Sequence, residues 1–389
     1  MNKKLRRLLA LLCGICLSVT VAAAAQAQTP DYGAMSLALV SAQRAQLTGG
    51  GSLLSQQELL PAGQSPVADW YALAMARAGI ADDYEAYLSA LKAYVERCYA
   101  SGGLSANKAT EYHRIALAVT ALGGDASAFG TDPGGAPIDL LADGCWNCVI
   151  DGGPGAQGLN GWIFALLALD AAGCEVPADA PYGRDVILNA IVSAQGDDGG
   201  FSLGGGETDA DITAMALQAL APYAPEYGDV IDRALAALSA AQSDDGGFAS
   251  WGTENAESCA QVVMALCALG IDPAADERFV KPGGSAVSAL LRFRMEDGSF
   301  AHVGNTSDPM ASEQALQALE SLRRFYAGEA RFFDMTDAGS VPRTDGQGGV
   351  SEEKPAGALP AAYYIVPCAV IAAVVLWLML RKKGRNDHE

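Results

Sequence analysis

The segment from Gln195 to Leu220 is repeated from Gln242 to Leu269. A period of roughly 50 residues marks stacked helical pairs, none of which can bury its apolar face alone. In both copies an apolar helix runs into a turn, Gln195-Gly-Asp-Asp-Gly-Gly-Phe201 and Gln242-Ser-Asp-Asp-Gly-Gly-Phe248, and an Ala-rich helix follows. A degenerate third turn is Glu296-Asp-Gly-Ser-Phe300, and the helices after the three turns end alike, in Ala216-Leu-Gln-Ala-Leu220, Ala265-Leu-Cys-Ala-Leu269 and Ala315-Leu-Gln-Ala-Leu319.

The same helix ending occurs upstream in Ala72–Gly79, Ile115–Gly123 and Ile163–Gly173, which makes six. A more amphipathic segment precedes each: 35–47, 84–99, a short one at 138–141, 184–194, 230–241 and 285–294. Gly79, Gly123, Gly173 and Gly270 stand where helix C-caps belong. An Ala-rich helix that is apolar on most sides belongs inside, and one with charge on a single face belongs outside. Six inner helices ringed by six outer ones close on themselves. The expected fold is therefore all-α, an (α/α)6 toroid over residues 29–336, together with one C-terminal transmembrane helix.

Lys3, Lys4, Arg6 and Arg7 precede an apolar run from Leu8 to Ala25, and Ala25-Gln-Ala27 reads as a cleavage signal. Residues 1–27 are thus expected to be a secretory signal peptide. Residues 337–361 read as a flexible linker, 363–380 as a transmembrane helix, and 381–389, with Arg381, Lys382, Lys383 and Arg385, as a cytoplasmic tail. The expectation is export by the Sec route and anchorage in the plasma membrane, with the toroid extracellular.

The net charge is −20; setting aside the four basic residues of the signal and the four basic and two acidic residues of the tail leaves 17 basic against 43 acidic, or −26. Nucleic acid is a poor partner for such a surface, because phosphate binding depends on clustered Lys and Arg. Six cysteines fall in the exported region: Cys98, Cys145, Cys148, Cys174, Cys259 and Cys267. Their pairing is open. Cys145-Trp-Asn-Cys148 has redox or metal spacing, but no second such pair and no nearby His completes a zinc set.

The Gln-x-x-Asp-Gly-Gly-Phe turns and Ala-Leu-x-Ala-Leu helices resemble the repeats of terpene cyclases and protein prenyltransferases, which are α/α toroids. Ser250-Trp-Gly-Thr-Glu-Asn-Ala-Glu-Ser-Cys-Ala-Gln-Val262 and Met310-Ala-Ser-Glu-Gln-Ala-Leu316 look most like secreted bacterial prenyltransferase-repeat proteins. Those in turn are similar to the cobalamin-binding toroid of intrinsic factor and transcobalamin. The resemblance implies a fold and offers three functions.

A cyclase would use its Asp-x-Asp-Asp-Thr-Ala motif to protonate an alkene. Asp209-Ala-Asp211-Ile-Thr-Ala214 matches at five of six places, with Asp211 as the acid, Asp209 beside it and Ile212 where the last Asp belongs. The competing reading is a helix start, with Thr208 as N-cap and Asp211 at N3. A prenyltransferase would bind zinc through an Asp-x-Cys pair and a His, which Glu257-Ser-Cys259 and His302 match only in part, and the chain offers little basic surface for a diphosphate. Complement-type thioester toroids need a Cys-Gly-Glu-Gln run, and the sequence has none.

A binding module remains. Loops leading into the inner helices gather at one rim of a toroid, so Tyr112, His113, Asn160, Trp162, Asp209, Asp211, Trp251, Glu254, His302 and Asn305 are expected around one funnel. The expected partner is a large amphipathic small molecule, a corrinoid or an isoprenoid, with cobalamin a candidate ligand that His302 would ligate. A surface scaffold or adhesion role is the third reading.

Overall fold

In the computed structural model, residues 30–339 are described; the expected signal peptide, the transmembrane stretch 363–380, the tail and most of the linker lie outside them. Among the described residues no helix is long and apolar enough to cross a membrane. Eleven α-helices are present among them: α1 (Tyr32–Thr48), α2 (Pro66–Arg77), α3 (Tyr84–Tyr99), α4 (Ala109–Ala121), α5 (Leu159–Ala171), α6 (Arg184–Ser193), α7 (Ala210–Leu220), α8 (Ala224–Ala241), α9 (Ala256–Ala268), α10 (Ala286–Arg292) and α11 (Pro309–Ala327).

The small-residue helices form the inner ring. Each of α2, α4, α5, α7, α9 and α11 packs on the next, and α11 returns to α2, so the circle closes. At the closure the Tyr71 hydroxyl of α2 donates to the Pro309 carbonyl of α11 at 3.1 Å. Three outer helices pack on the inner helix before them, α6 on α5, α8 on α7 and α10 on α9, and α3 is tied to α2 by the Tyr87 hydroxyl, which donates to Asp69 at 2.6 Å. The first outer helix has no predecessor and packs on α11 instead, with Tyr32 stacked on Tyr326 at 5.8 Å. Burial follows this division. In α9, of 13 residues, only Glu257 and Ala268 fall outside the buried set, whereas α8 buries only Ile231, Ala234, Leu235, Ala237 and Leu238, a single stripe at helical spacing. Each large apolar side chain in such a stripe contributes roughly 1.5–3 kcal/mol.

One expected outer helix does not form. In place of a helix at 138–141 the chain makes a short π-helical turn, Ala142–Trp146, which packs on α4 and α5. The preceding stretch explains this: Pro133 and Pro137 lack N–H donors, and Gly130 and Gly135 hold φ of 89° and 87°, so no helix propagates through it. The ring therefore has six inner helices and five outer ones among the described residues.

The repeated turn works by two different glycine roles. Gly199 and Gly246 adopt φ of 90° and 92°, the left-handed region that excludes most side chains. Gly200 and Gly247 are needed for space: a Cβ there would lie 1.9 Å from Thr208 Oγ1 and 2.1 Å from Glu254 Cδ. Gln195 and Gln242 staple their turns to the next element, donating to Gly199 and Val230 carbonyls and to Gly246 and Phe279 carbonyls. Phe201, Phe248 and Phe300 are buried. The fourth helical residue of the following inner helix bonds the Phe backbone, Thr213 to Phe201 and Ser312 to Phe300, each accepting from the amide at 2.9 Å.

After α11 the chain crosses the ring at the C-terminal ends of the inner helices. Arg77, from α2, donates to the carbonyls of Arg331, Phe332 and Asp334 and to Asp337. Arg324 donates to the Ala330 carbonyl, to Asp337 and to Glu320. Asp337, placed in the linker by its sequence, is thus held between two buried arginines.

Candidate functional site

The inner helices present one stripe each to the centre of the ring. Positions i, i+4 and i+7 share a helix face, and the second helical residue starts the stripe: Asn160, Phe164 and Leu167 on α5; Asp211, Met215 and Gln218 on α7; Glu257, Gln261 and Met264 on α9; Met310, Gln314 and Gln317 on α11. A lumen with ≈ 70 Å³ of free volume lies among them. Its apolar wall is Trp70, Phe164, Leu167 and Met215, with Phe333 of the crossing segment as the floor. Its polar wall is Gln218, Gln261, Glu313, Gln314 and Gln317. The amides form a ladder from helix to helix, Gln218 donating to Gln261 at 2.9 Å and Gln261 to Gln314 at 3.0 Å. Gln317 donates to Glu313 at 2.6 Å, and burial pushes the Glu313 carboxyl well above the usual carboxylate range. Among the described residues lining the lumen there is no Lys, Arg or His.

At the mouth the helix starts differ in what they leave unsatisfied. Asp209, not Thr208, is the N-cap of α7: its Oδ1 accepts from Ile212 N at 3.0 Å and its Oδ2 from Ser250 Oγ at 2.9 Å. Thr208 instead donates to Asp198 at 2.7 Å. Asp211 is therefore at N2, free of capping. Burial, reinforced by the Asp209 and Glu257 charges, raises its pKa to about 6, an effect that Ser258 opposes. Ser258 Oγ, buried on the neighbouring helix, is the hydroxyl that faces this carboxyl, and neither it nor Asp211 Oδ1 has another partner among the described residues. Asn160 Oδ1, at the matching position of α5, is buried without a partner. Buried polar atoms are nearly always paired, so Asn160 Oδ1 stands as an exception.

Glu257 is occupied: its Oε2 meets His302 Nδ1 at 2.8 Å. Cys259, two residues on, is fully buried, and burial pushes its thiol up to about 12. The Glu-x-Cys spacing thus sends its two side chains apart, and among the described residues no group of three His, Cys, Asp or Glu is placed to hold a metal ion.

Of the residues expected around the funnel, Asp209, Asp211 and, through Glu257, His302 come together. Tyr112 is buried and its hydroxyl accepts from Leu104 N. His113 is fully buried, bonded through Nε2 to the Gly144 carbonyl at 2.7 Å, and burial lowers its pKa to about 4; it supports the π-helical turn. Trp162 packs edge-on against Tyr182 at 5.7 Å. Glu254 pairs with Arg292 at 2.6 Å, over Gly247. Trp251, at φ 54° on a two-residue hairpin, and Asn305 are exposed on loops leading into α9 and α11. The lumen residues themselves, Trp70, Phe164, the four glutamines and Glu313, were not anticipated; amides breaking an Ala/Leu helix at fixed register were their signal.

No family model matches the chain, and no curated protein sequence does. Solved structures do match. Protein geranylgeranyltransferase-I of Candida albicans, in complex with GGPP, is 13% identical, with 66% of this chain and 84% of that one covered at a TM-score of 0.47. Unsaturated glucuronyl hydrolase of Bacillus sp. GL1 is 14% identical, with 78% and 98% covered at 0.49. Both are α/α toroids, as this chain is. Likeness at that level extends to no residue of the site.

Proposed function

We propose that the ring is a binding module whose lumen takes a small amphipathic molecule without negative charge, lying end-on between the rim and Phe333. The observation that carries this reading is the composition of the lumen, an aromatic and aliphatic wall facing an amide and carboxyl wall with no cationic side chain. A pocket that is mostly apolar with a few placed polar groups suits such a ligand. An isoprenoid alcohol or hydrocarbon fits it; an isoprenoid diphosphate, which needs Lys, Arg or a metal, does not. A free volume of ≈ 70 Å³ is well below the range of pockets for drug-sized ligands, so only a slender chain enters and a corrin macrocycle does not fit. Cobalamin is accordingly not retained as its ligand. Alkene protonation is not favoured either, since a carboxyl with its pKa raised to about 6 is a weak acid. The export signal and membrane tether read from the sequence complete the proposal, placing the ring outside the cell.

The test is calorimetry with 1-octanol on the full chain. Eight methylene-sized groups at about 0.8 kcal/mol each supply at most about 6 kcal/mol before the cost of association, so the expected affinity is weak, millimolar or poorer. Leu167→Trp fills the lumen and should abolish binding. Geranyl diphosphate or octanoate binding more tightly than octanol would overturn the reading.

A further inference from the structure

We propose that the lumen is a site for a methylated ammonium head, held between the Glu313 carboxyl and the rings of Trp70 and Phe164, so that the ring's ligand is a cation. This rests on the lumen reading above and extends it from a shape to a chemical class.

The three side chains line one space, together with Leu167, Met215 and the amides. Trp70 of α2 and Phe164 of α5 meet with ring centroids 5.8 Å apart and planes tilted by 48°, so they are not stacked face to face. An aromatic face attracts a cation that lies within about 6 Å of its centre. Glu313, on the polar wall, is only 2% exposed. Its Oε2 accepts from Gln317 at 2.6 Å, and its Oε1 has no hydrogen-bond partner among the described residues.

An acid at this position is the informative feature. The rest of the polar wall is built from amides, and a glutamine at 313 would accept from Gln317 equally well without placing an ionisable group in a buried space. No Lys, Arg or His among the described residues lines the lumen to answer the carboxyl. Burial accordingly pushes Glu313 well above the usual carboxylate range. A cation entering the lumen supplies the missing counter-ion: Glu313 gives its proton up to solvent and holds the ligand as a carboxylate. A primary ammonium would bring three donors, and the amide oxygens of Gln261 and Gln314 are already taken by the ladder. A methylated ammonium has no donors to satisfy and presents methyl groups to the apolar wall. The free volume of ≈ 70 Å³, at roughly 10–15 Å³ for each water-sized group, holds about five such groups, which suits a trimethylammonium head.

The displaced proton makes the proposal measurable. Of the groups that face Glu313, Glu257 of α9, itself paired with His302, and Asp308 at the start of α11 are carboxyls that raise its pKa further. Tyr71 of α2 is a phenol that burial pushes well above its usual range, and α1 brings the uncharged Gln43, which bonds Ser312. Cation affinity should therefore rise with pH, by up to about tenfold per unit until Glu313 is ionised.

The experiment is calorimetry on the full chain with choline and its uncharged carbon isostere, 3,3-dimethyl-1-butanol. At pH 9 choline should bind at least about tenfold more tightly than the isostere. At pH 6 that preference should shrink to about threefold or less. At pH 7 the heat of choline binding should vary with the ionisation enthalpy of the buffer, which reports the released proton without any variant. Glu313→Gln should remove the preference and its pH dependence; Trp70→Leu should weaken choline about fivefold and keep the pH dependence. Phosphocholine, the head of a membrane lipid, should bind more weakly than choline, because nothing in the lumen answers its phosphate. Equal affinity for choline and the isostere at pH 9, a choline affinity that does not change with pH, or a preference that survives Glu313→Gln overturns the cation site and leaves a lumen for neutral ligands, as does binding of 1-octanol alone. Tighter binding of phosphocholine than of choline, or binding of none of these probes, overturns the lumen reading itself.

Discussion

Asp211→Asn should make the protein more stable at neutral pH. The carboxyl is raised from 3.8 to about 6 by burial, which the facing Ser258 hydroxyl only partly offsets. Two units at 1.36 kcal/mol each put the cost of ionising it in the folded state at about 3 kcal/mol. Against this, the substitution forfeits the interaction of a negative charge with the α7 N-terminus, about 0.3–1 kcal/mol. Desolvation wins, and a net gain of about 2–3 kcal/mol remains. With about 2.1 cal/mol/K of unfolding entropy per residue over roughly 300 residues, the midpoint should rise by roughly 3–5 °C. The sign follows from linkage. A carboxyl whose folded pKa is raised binds its proton more tightly in the folded state, so the penalty is full above about pH 6 and absent below the ordinary 3.8. Asp209, Glu257, Ser258 and Cys259 face the same group from α7 and α9 but are common to both proteins, so the difference isolates Asp211. Paired thermal or urea unfolding at pH 7.5 and pH 3.5 measures it: the variant should lead at the first and match the parent at the second. A loss of about 1 kcal/mol at pH 7.5 would identify Asp211 as a cap and refute the reasoning, as would a gain that persists at pH 3.5.

The crossing segment and the turns give further tests. Phe333 lines both the lumen and a space of ≈ 220 Å³ below it. Phe333→Ala should join the two, so that dodecanol binds more tightly than octanol by about tenfold, where calorimetry on the parent shows little gain from the longer chain. Arg77 has a side chain only 2% exposed and four acceptors in the crossing segment; Arg77→Ala should destabilise by roughly 3–5 kcal/mol in urea unfolding, since Asp337 and three carbonyls lose their donor. Gly246→Ala combines φ of 92° with a Cβ 2.6 Å from the Gly284 carbonyl oxygen, and should cost more than about 2 kcal/mol. Gly252→Ala, at φ 78° with open space around it, carries the backbone strain without the clash and should cost less than half as much.

The ring was legible from the repeat because both its signals are local. Ala-rich and amphipathic helices alternate along the chain, and the Gly-Gly-Phe turns mark every junction in the second half. Gly79, Gly123, Gly173 and Gly270 do end their helices, at φ of 65°, 74°, 59° and 73°, and Asp308 with Pro309 does begin one. The missing outer helix was less visible, because two prolines and several glycines ahead of Ile138 disrupt a helix without announcing what replaces it. The site was legible only in part. Aromatic and polar residues in the loops were natural candidates, yet Tyr112, His113 and Trp162 turn to the packing between helices, where their bulk is needed. What lines the lumen instead sits one and two turns inside the helices. Gln218, Gln261, Gln314 and Gln317 become meaningful only once the register of three separated helices is known, and a long-range ring sets that register.

Repetition also explains where the rim is least complete. In a ring of like units each helix start poses the same problem, free N–H groups and a polar residue near the second position, and most units solve it internally. In α2 and α4 the solution is a buried network: Asp69 accepts from Arg114 at 2.8 Å and from Tyr87 at 2.6 Å, while Arg114 also bonds the Gly63 carbonyl. In α9 it is Glu257 with His302, and in α11 Asp308 caps two amides. At α7 the rim carboxyl is answered from the neighbouring helix, Ser258 of α9 facing Asp211, while Asn160 Oδ1 on α5 and His113 Nδ1 on α4 stay buried without a partner among the described residues. An unsatisfied buried polar atom costs roughly 1–3 kcal/mol, so these helix starts are where the repeat's internal solution is least complete and where a substitution that removes the polar atom should stabilise the ring.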